Sequence, residues 1–369
     1  MSEQPLNQAQ PDAEKSPPQF DVFLHGTVFL DIIFTGLSSE IAGGTEVVAQ
    51  GMGSSPGGIA NLAIASSRLG LKTSLAAAFG DDAYGDFCWR TLADQEQIDL
   101  SRSQRFEHWH SPVTVSMSVA GDRGMVTHSH PAPKSTAEMI GRAPAARAVC
   151  TNLADSGDED WAWLKAMADE GSLIFADVGW DDTGRWPMEV LNRLSYCHAF
   201  MPNAREAMAY THAETPRDAL YQLADMVPLA IVTNGADGAM AIDGVTGEEA
   251  NVPAVRATAI DPTGAGDVFA AGMILGTLSG WPLEERLAFS ALCSALAVQQ
   301  FGGSLAAPGL GDIVDWWHAV RDDPCADSYQ RSLRHRYAFL DEFTPTTPVA
   351  ARRRAAATIA RLSDLPGND

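Results

Sequence analysis

The chain has 369 residues, of which 46% are hydrophobic and 20% are charged, and its formal net charge is −22. This length and composition can supply one large α/β domain with a sizeable core. The strong negative charge argues against nucleic acid or a membrane surface as a partner, because both are themselves anionic.

The start of the chain and the cysteines indicate where the protein resides. Residues 1–18 are polar and rich in Pro and Gln, without the apolar segment of a signal peptide, and we expect a disordered arm there. The most apolar early run, residues 22–37, is broken by His25, Gly26 and Asp31 and does not predict a membrane span. The five cysteines are scattered and never form a Cys-x-x-Cys pair, which is typical of a reducing compartment. These features predict a cytoplasmic protein.

A carboxylate follows the first predicted strand. Residues 22–26 predict a short strand that ends in a turn, and Asp31 comes soon after it. Ligands of open parallel sheets bind beyond the carboxyl ends of the strands, so Asp31 is a candidate binding residue. A solvated turn aspartate is the alternative. Residues 38–56 are rich in Gly and Ser and predict a loop or small mobile strands.

Two glycines open the next predicted helix. Gly57 and Gly58 stand at its start, and Asn61 lies within its first turns. An Asn side chain offers both donor and acceptor groups, which suits a sugar hydroxyl, although a turn and a capping residue would give the same short pattern. Farther along, residues 112–130 contain two alternating stretches around a Gly-Asp-Arg-Gly turn, which predict a β-hairpin.

The middle of the chain alternates strand and helix signals, which favours a mostly parallel sheet covered on both faces. Asn203 and Glu206 stand where one strand ends and a helix begins, and they could form a capping box. Thr233 and Gly235 end a further strand, and Gly238 begins another. By themselves these three residues slightly favour a plain hairpin turn.

The most specific stretch is Asp261-Pro262-Thr263-Gly264-Ala265-Gly266-Asp267, which precedes a run of small apolar residues. Glycine costs about 1 kcal/mol in a helix interior relative to alanine, so two glycines at a helix start indicate a need for bare backbone. Free N–H groups and the helix dipole form an anion site there. A carboxylate beside a phosphate would repel it, so Asp267 is better interpreted as a base that deprotonates an attacking hydroxyl. A glycine-rich turn before a core helix is the alternative.

This motif resembles the signature of the ribokinase-like (PfkB-type) carbohydrate kinases, and the resemblance covers roughly residues 20–320. It implies an α/β fold of the ribokinase-like three-layer sandwich type, with a mostly parallel central sheet and a small β lid. The lid segments would lie near 36–56 and 112–130. The chain would then divide into the arm 1–18, a kinase domain 19–321 and a C-terminal extension 322–369.

The resemblance also implies roles for the residues singled out above. Asp267 would be the catalytic base, with the backbone of Gly264, Ala265 and Gly266 as the anion hole. The acceptor would be held by Asp31, Gly57, Gly58 and Asn61. ATP would be contacted by Asn203, Thr233, Gly235, Gly238, Thr263, Gly264 and Gly266, and Mg²⁺ would lie near Glu206.

Two further features concern the nucleotide-binding side of the predicted site. In relatives the loop that corresponds to residues 301–304 borders the adenine pocket and, together with Asp261, can hold a monovalent cation, and the same cation is an expectation here. Many relatives also place an Asn near the position of Ala291 to meet the nucleotide. The alanine in this chain leaves the adenine contacts open.

The predicted activity is transfer of the ATP γ-phosphoryl group to a hydroxyl of a small sugar or polyol, by an enzyme that forms a homodimer by analogy with its relatives. A nucleoside kinase of the same family and a non-catalytic sugar-binding sensor are the alternatives. The sequence contains no Gly-Lys-Ser/Thr, which excludes a Walker-type NTPase, and no Gly-x-Gly-x-x-Gly after the first strand, which excludes a dinucleotide dehydrogenase.

Overall fold

The computed structural model describes residues 17–39, 41–119, 122–154, 158–179, 181, 183–300, 302–324, 327–346, 355 and 363–364. Its strands are β1 (Phe20–His25), β2 (Val28–Leu37), β3 (Gly51–Gly58), β4 (Thr73–Ala76), β5 (Ala78–Gly80), β6 (Gln104–Phe106), β7 (Val113–Val119), β8 (Asp122–His128), β9 (Ala146–Asn152), β10 (Leu173–Asp177), β11 (Ala199–Phe200), β12 (Leu229–Thr233), β13 (Ala239–Asp243), β14 (Glu248–Val252) and β15 (Ser363–Asp364).

The helices between them are α1 (Ile59–Arg68), α2 (Ala83–Arg90), α3 (Thr136–Ile140), α4 (Asp158–Asp169), α5 (Ala204–Thr211), α6 (Pro216–Ala224), α7 (Ala265–Leu278), α8 (Leu283–Ala297), α9 (Leu310–Asp322), α10 (Ser328–Arg336) and α11 (Leu340–Thr346). Shorter helical turns span Thr91–Gln95, Met188–Tyr196, Gly235–Asp237 and Gly303–Ala306. None of the helices in the described ranges is long and apolar enough to cross a membrane.

The large sheet has the strand order β14-β13-β12-β11-β10-β9-β1-β4. The pairs from β12 to β4 are parallel, and β13 and β14 join as antiparallel strands at one edge. Side chains alternate between two cores: Val22 packs on one face with residues of α1, α7 and α8, and Phe23 packs on the other with α4, α5 and α6. This is the predicted α/β sandwich with helices on both faces.

A smaller sheet forms the lid, with the order β15-β3-β2-β7-β8. β2 pairs antiparallel with β3 and parallel with β7, and β7 and β8 form the predicted hairpin. The lid begins at Val28, earlier than the predicted segment 36–56, because β2 continues the apolar alternation past Asp31, with Leu30 and Ile33 buried. Asp31 therefore lies within a lid strand.

The extension predicted at 322–369 packs onto the main body where it is described. Leu333, Tyr337 and Leu340 are buried in the same core as α8, and the Tyr337 hydroxyl donates to the Ala288 carbonyl oxygen at 3.0 Å. Farther along, β15 pairs antiparallel with Met52 and Gly53 at the edge of the lid. Nearly all of the predicted arm 1–18 lies outside the described residues, as does Cys325; the other four cysteines are buried and free.

Candidate active site

Helix α7 begins directly after a left-handed glycine. Gly264 has φ +76°, a conformation that disfavours any side chain, and it is the residue before the first helical turn. The preceding turn is held by Asp261, whose Oδ1 accepts from the Thr263 amide at 3.0 Å and from the Thr263 hydroxyl at 2.6 Å. The Ala265 amide donates to the Pro262 carbonyl oxygen at 3.2 Å. The N–H groups that follow at a helix start lack intrahelical partners, so this terminus can receive an anion.

Asp267 lies in the first turn of α7 and is paired with Asn61. The Asn61 Nδ2 donates to the Asp267 Oδ2 at 3.2 Å. Burial raises the pKa of Asp267 to about 6, and the hydrogen bond from Asn61 opposes that rise. Asn61 is 7% exposed, and its Oδ1 is buried without a hydrogen-bond partner among the described residues. A buried acceptor in that state favours a ligand that brings a donor.

Asp31 and the two glycines of β3 form a second group. A Cβ on Gly57 would lie 1.9 Å from the Asp31 Oδ2, so only glycine lets the carboxylate approach the backbone there. Gly58 has φ +61°, and a Cβ on it would lie 2.4 Å from the Thr27 carbonyl oxygen. These glycines are the last residues of β3, where they pair with Val28 and Phe29. Gly58 is also the N-cap of α1, which starts at Ile59, so the predicted helix start directly after the two glycines is present.

A cavity of about 530 Å³ lies on the other side of α7. Four of the predicted nucleotide residues line it, namely Thr233, Gly235, Gly238 and Gly266. Ala291 lines it as well, in a mostly apolar wall with Val255, Phe269 and Val298. Asn203, Thr263 and Gly264, predicted with the same group, are not among its lining residues. The wall suits a flat apolar group such as a nucleobase.

Sequence reasoning missed Arg256, the one cationic side chain among the described residues that line this cavity. Its guanidinium stacks on the Tyr329 ring of α10, 4.2 Å from the ring centroid, and its amide donates to the Tyr329 hydroxyl at 2.7 Å. The indication of this residue in the sequence was that a lone arginine stands a few residues before the Asp261 motif. Its partner comes from the extension, and no local pattern pointed there.

The predicted metal residue, Glu206, takes part in the capping box of α5. Its amide donates to the Asn203 Oδ1 at 3.0 Å, and the Asn203 amide donates to the Glu206 Oε2 at 3.1 Å. Burial raises the pKa of Glu206 despite these contacts. The predicted capping box is therefore present in the structure.

Asp177, at the end of β10, is a second carboxylate that sequence reasoning did not single out. The Asp177 side chain is exposed at the surface. Desolvation by the surrounding protein, followed by the negative charges of Glu206 and Asp267, raises the pKa of Asp177 well above its usual range. Over the described ranges, no three His, Cys, Asp or Glu side chains are arranged to hold a metal ion. Mg²⁺ keeps several waters and needs only one or two carboxylates, so Glu206 and Asp177 fit it chemically.

A smaller cavity of about 220 Å³ opens at the turn between β1 and β2, and its lining includes none of Asp31, Gly57, Gly58 and Asn61. Its polar lining includes His25, Thr27, Trp109, His130, Asn152 and Asp160. Burial lowers the pKa of His25 to about 4, despite the opposing charge of Asp160, so this imidazole is neutral at pH 7. No lysine or arginine of the described chain lines the cavity.

Comparison with known proteins identifies the family. The model described as pfkB family carbohydrate kinase matches residues 21–309. The chain belongs to this family and is an ATP-dependent carbohydrate kinase. The family assignment and the ribokinase-like fold, both predicted from the motifs, are confirmed.

Individual relatives differ in their acceptors. A fructokinase of Klebsiella pneumoniae is 29% identical over 298 residues, which cover 75% of this chain and 92% of that protein. An aminoimidazole riboside kinase of Salmonella typhimurium is 27% identical over 274 residues, which cover 69% of this chain and 85% of that protein. The structure of Arabidopsis thaliana ribokinase complexed with ribose and ATP has a TM-score of 0.66 and 22% identity, and the match covers 81% of this chain and 98% of that chain.

Proposed function

We propose that the protein transfers the γ-phosphoryl group of ATP to a hydroxyl of a small, uncharged sugar or polyol. The observation that carries the proposal is the pair formed by Asp267 and Asn61 at the glycine-flanked N-terminus of α7. A potential base, an anion-binding helix terminus and an unpartnered buried acceptor atom lie together there. Each of these serves phosphoryl transfer to an alcohol.

Asp267 acts as the general base. A pKa of about 6 leaves the carboxylate mostly ionised at neutral pH, yet basic enough to take a proton from the attacking hydroxyl. Asn61 holds this carboxylate through its Nδ2, and its Oδ1 accepts a hydrogen bond from the acceptor. The amide thereby orients the hydroxyl toward its base.

The backbone from Gly264 to Gly266 provides the anion hole. The N-terminus of α7 carries a partial positive charge from the helix dipole, and its first N–H groups stabilise the charge on the transferred phosphoryl group. Asp31 and the backbone at Gly57 and Gly58 hold the acceptor from the lid side. This arrangement aligns acceptor and phosphate, and positioning supplies much of the catalysis.

ATP occupies the cavity lined by Thr233, Gly235, Gly238 and Gly266. The structure of a putative ribokinase II of Escherichia coli in complex with ATP and Mg²⁺ has a TM-score of 0.66, 19% identity, and a match to 78% of this chain and 95% of that chain. Bound Mg²⁺ neutralises phosphate charge, and here Glu206 and Asp177 would hold it, in part through water.

The acceptor carries no phosphate. A phosphorylated sugar needs a cationic pocket, whereas the residues assigned to the acceptor, Asp31, Gly57, Gly58 and Asn61, include a carboxylate and no lysine or arginine. A riboside is the second candidate acceptor, because the Salmonella typhimurium relative, 27% identical, is an aminoimidazole riboside kinase.

An ADP-release assay with Mg-ATP against sugars, polyols, sugar phosphates and nucleosides tests the proposal, with Asp267→Asn as the control. We expect phosphorylation of a neutral sugar or polyol that is lost in the variant. Turnover of nucleosides alone would favour the second candidate. Turnover of a sugar phosphate would contradict the proposal of an unphosphorylated acceptor, and no turnover at all would favour a non-catalytic sensor.

A further inference from the structure

Helix α1 carries two buried polar side chains on one face. Asn61 near its start bonds to Asp267, and Arg68 is its last residue. Their spacing is about two helical turns, so both project from the same side of the helix. Arg68 is 2% exposed. A guanidinium removed from water needs full pairing, so its partners indicate what it holds in place.

Arg68 joins a buried carboxylate to one turn of the chain. Its Nε and Nη2 donate to the Glu96 Oε2 and Oε1 at 3.1 and 2.8 Å. Its Nη1 donates to the Leu305 carbonyl oxygen at 2.8 Å and to the Ala307 carbonyl oxygen at 2.6 Å. Glu96 is itself 3% exposed. The bidentate pair therefore fixes the guanidinium, and the guanidinium fixes the turn formed by residues 302–307.

This turn contacts both the acceptor side and the phosphate side of the site. The Ser304 hydroxyl donates to the carbonyl oxygen of Pro56, the residue before Gly57. A Cβ on Gly303 would lie 3.3 Å from the Ser55 Oγ and 3.7 Å from the Thr263 Cγ2. The turn is thus packed between the end of β3 and the loop that leads into α7.

We propose that Arg68, held by Glu96, is a positioning residue for phosphoryl transfer. By anchoring the 302–307 turn, it sets the separation between the acceptor-binding backbone at Gly57 and the helix terminus that bears Asp267. The inference rests on the proposed function, because the acceptor site that it aligns is itself proposed. Displacing reacting groups by about 1 Å can cost about a hundredfold in rate, so such an anchor has a kinetic effect.

Two variants separate positioning from folding. Ser304→Ala breaks the contact with Pro56 and leaves the Arg68–Glu96 pair intact. The double variant Arg68→Met/Glu96→Leu removes both charges together, because removing one would leave the other buried and unpaired. The matched control is Ser66→Ala, the same substitution at a buried α1 serine whose hydroxyl has no hydrogen-bond partner in the described chain.

With the acceptor found by the panel assay, we expect both variants to lower kcat/KM for the acceptor by about ten- to a hundredfold. KM for ATP should stay within about twofold, since the nucleotide cavity is lined by other residues. Ser66→Ala should match the wild type. Unchanged acceptor kinetics in folded Ser304→Ala, or an equal loss in Ser66→Ala, would overturn the proposal.

Hydrogen exchange gives a readout that needs no acceptor. We expect faster amide exchange in peptides that cover 302–307 and 55–58 in both variants, and no change there in Ser66→Ala. If the wild type phosphorylates nothing, the proposed function fails, while unchanged exchange in Ser304→Ala would separately refute the anchor. If the double variant does not fold, Ser304→Ala alone decides the outcome.

Discussion

Replacing Asn61 by leucine should move the pH profile of the reaction toward higher pH. Asn61 is the group that donates to the Asp267 carboxylate, and that bond lowers a pKa which burial otherwise raises. Leucine has a similar size and keeps water out, so desolvation persists while the opposing hydrogen bond is lost. The pKa of Asp267 must then rise.

The magnitude follows from the strength of the bond. A hydrogen bond to a charged group contributes about 1.5–3 kcal/mol, and one pKa unit corresponds to about 1.4 kcal/mol. The Nδ2–Oδ2 distance of 3.2 Å is long for such a bond, which favours the lower end of that range. We therefore expect the pKa of Asp267 to rise by about one unit. The acidic limb of the pH profile, where activity falls as Asp267 becomes protonated, should then lie near pH 7, compared with near pH 6 in the wild type.

The assay is kcat/KM for the acceptor between about pH 5 and about pH 9, at saturating Mg-ATP, because this ratio reports ionisations of the form that binds the acceptor. Activity at every pH should also fall, since the variant loses the Asn61 Oδ1 as an acceptor contact. Asp267→Asn is the control and should show no limb in this range. A limb that stays in place or moves to lower pH in Asn61→Leu would refute the assignment of Asp267 as the base.

Three further predictions follow from the same geometry. Asp267→Asn should stabilise the fold above pH 6 and not below about pH 4, because a folded-state pKa of about 6 against an ordinary 3.8 makes ionisation of Asp267 costly as pH rises. Discounted for partial exposure of the side chain, the gain in unfolding free energy above pH 6 is about 1–2 kcal/mol. Urea melts that show an equal gain above pH 6 and below about pH 4 would contradict this prediction. Gly57→Ala should raise the acceptor KM by at least about tenfold without changing KM for ATP, because a Cβ would meet Asp31, whereas Gly124→Ala, with open space around its Cβ, should have no effect. Arg256→Ala should raise KM for ATP several-fold with little effect on the acceptor, and a selective effect on the acceptor would show that Arg256 does not serve the nucleotide cavity.

The fold was largely predictable because its signals are local. The βα alternation, the apolar parallel strands and the glycines of the Asp261–Asp267 motif each specify a short-range structure. The left-handed Gly264 and the close approach of Asp31 to Gly57 are backbone requirements that only glycine meets, so the residue type itself carried the information. The lid boundary was misjudged because Asp31 interrupts an apolar strand that continues on both sides of it.

The contacts that complete the site were not predictable, because they join distant parts of the chain. The Asn61–Asp267 bond spans 206 residues, and the contact of Arg68 with Leu305 spans 237. Arg256 finds its aromatic partner in the extension. Asp177 stands at the end of a buried strand, and only the packing of β9, β10 and β11 brings it near Glu206. Sequence pattern and residue spacing do not indicate contacts between residues that lie so far apart in the chain.

The most direct test is the turnover number of Asp267→Asn with the acceptor that the wild type phosphorylates. The variant keeps the size and shape of the side chain and removes the base, so ATP binding should be retained and thermal stability should be no lower than in the wild type, while kcat falls by about 10²–10⁴. That result would support Asp267 as the group that activates the hydroxyl. Turnover close to wild type in the folded, ATP-binding variant would contradict the mechanism.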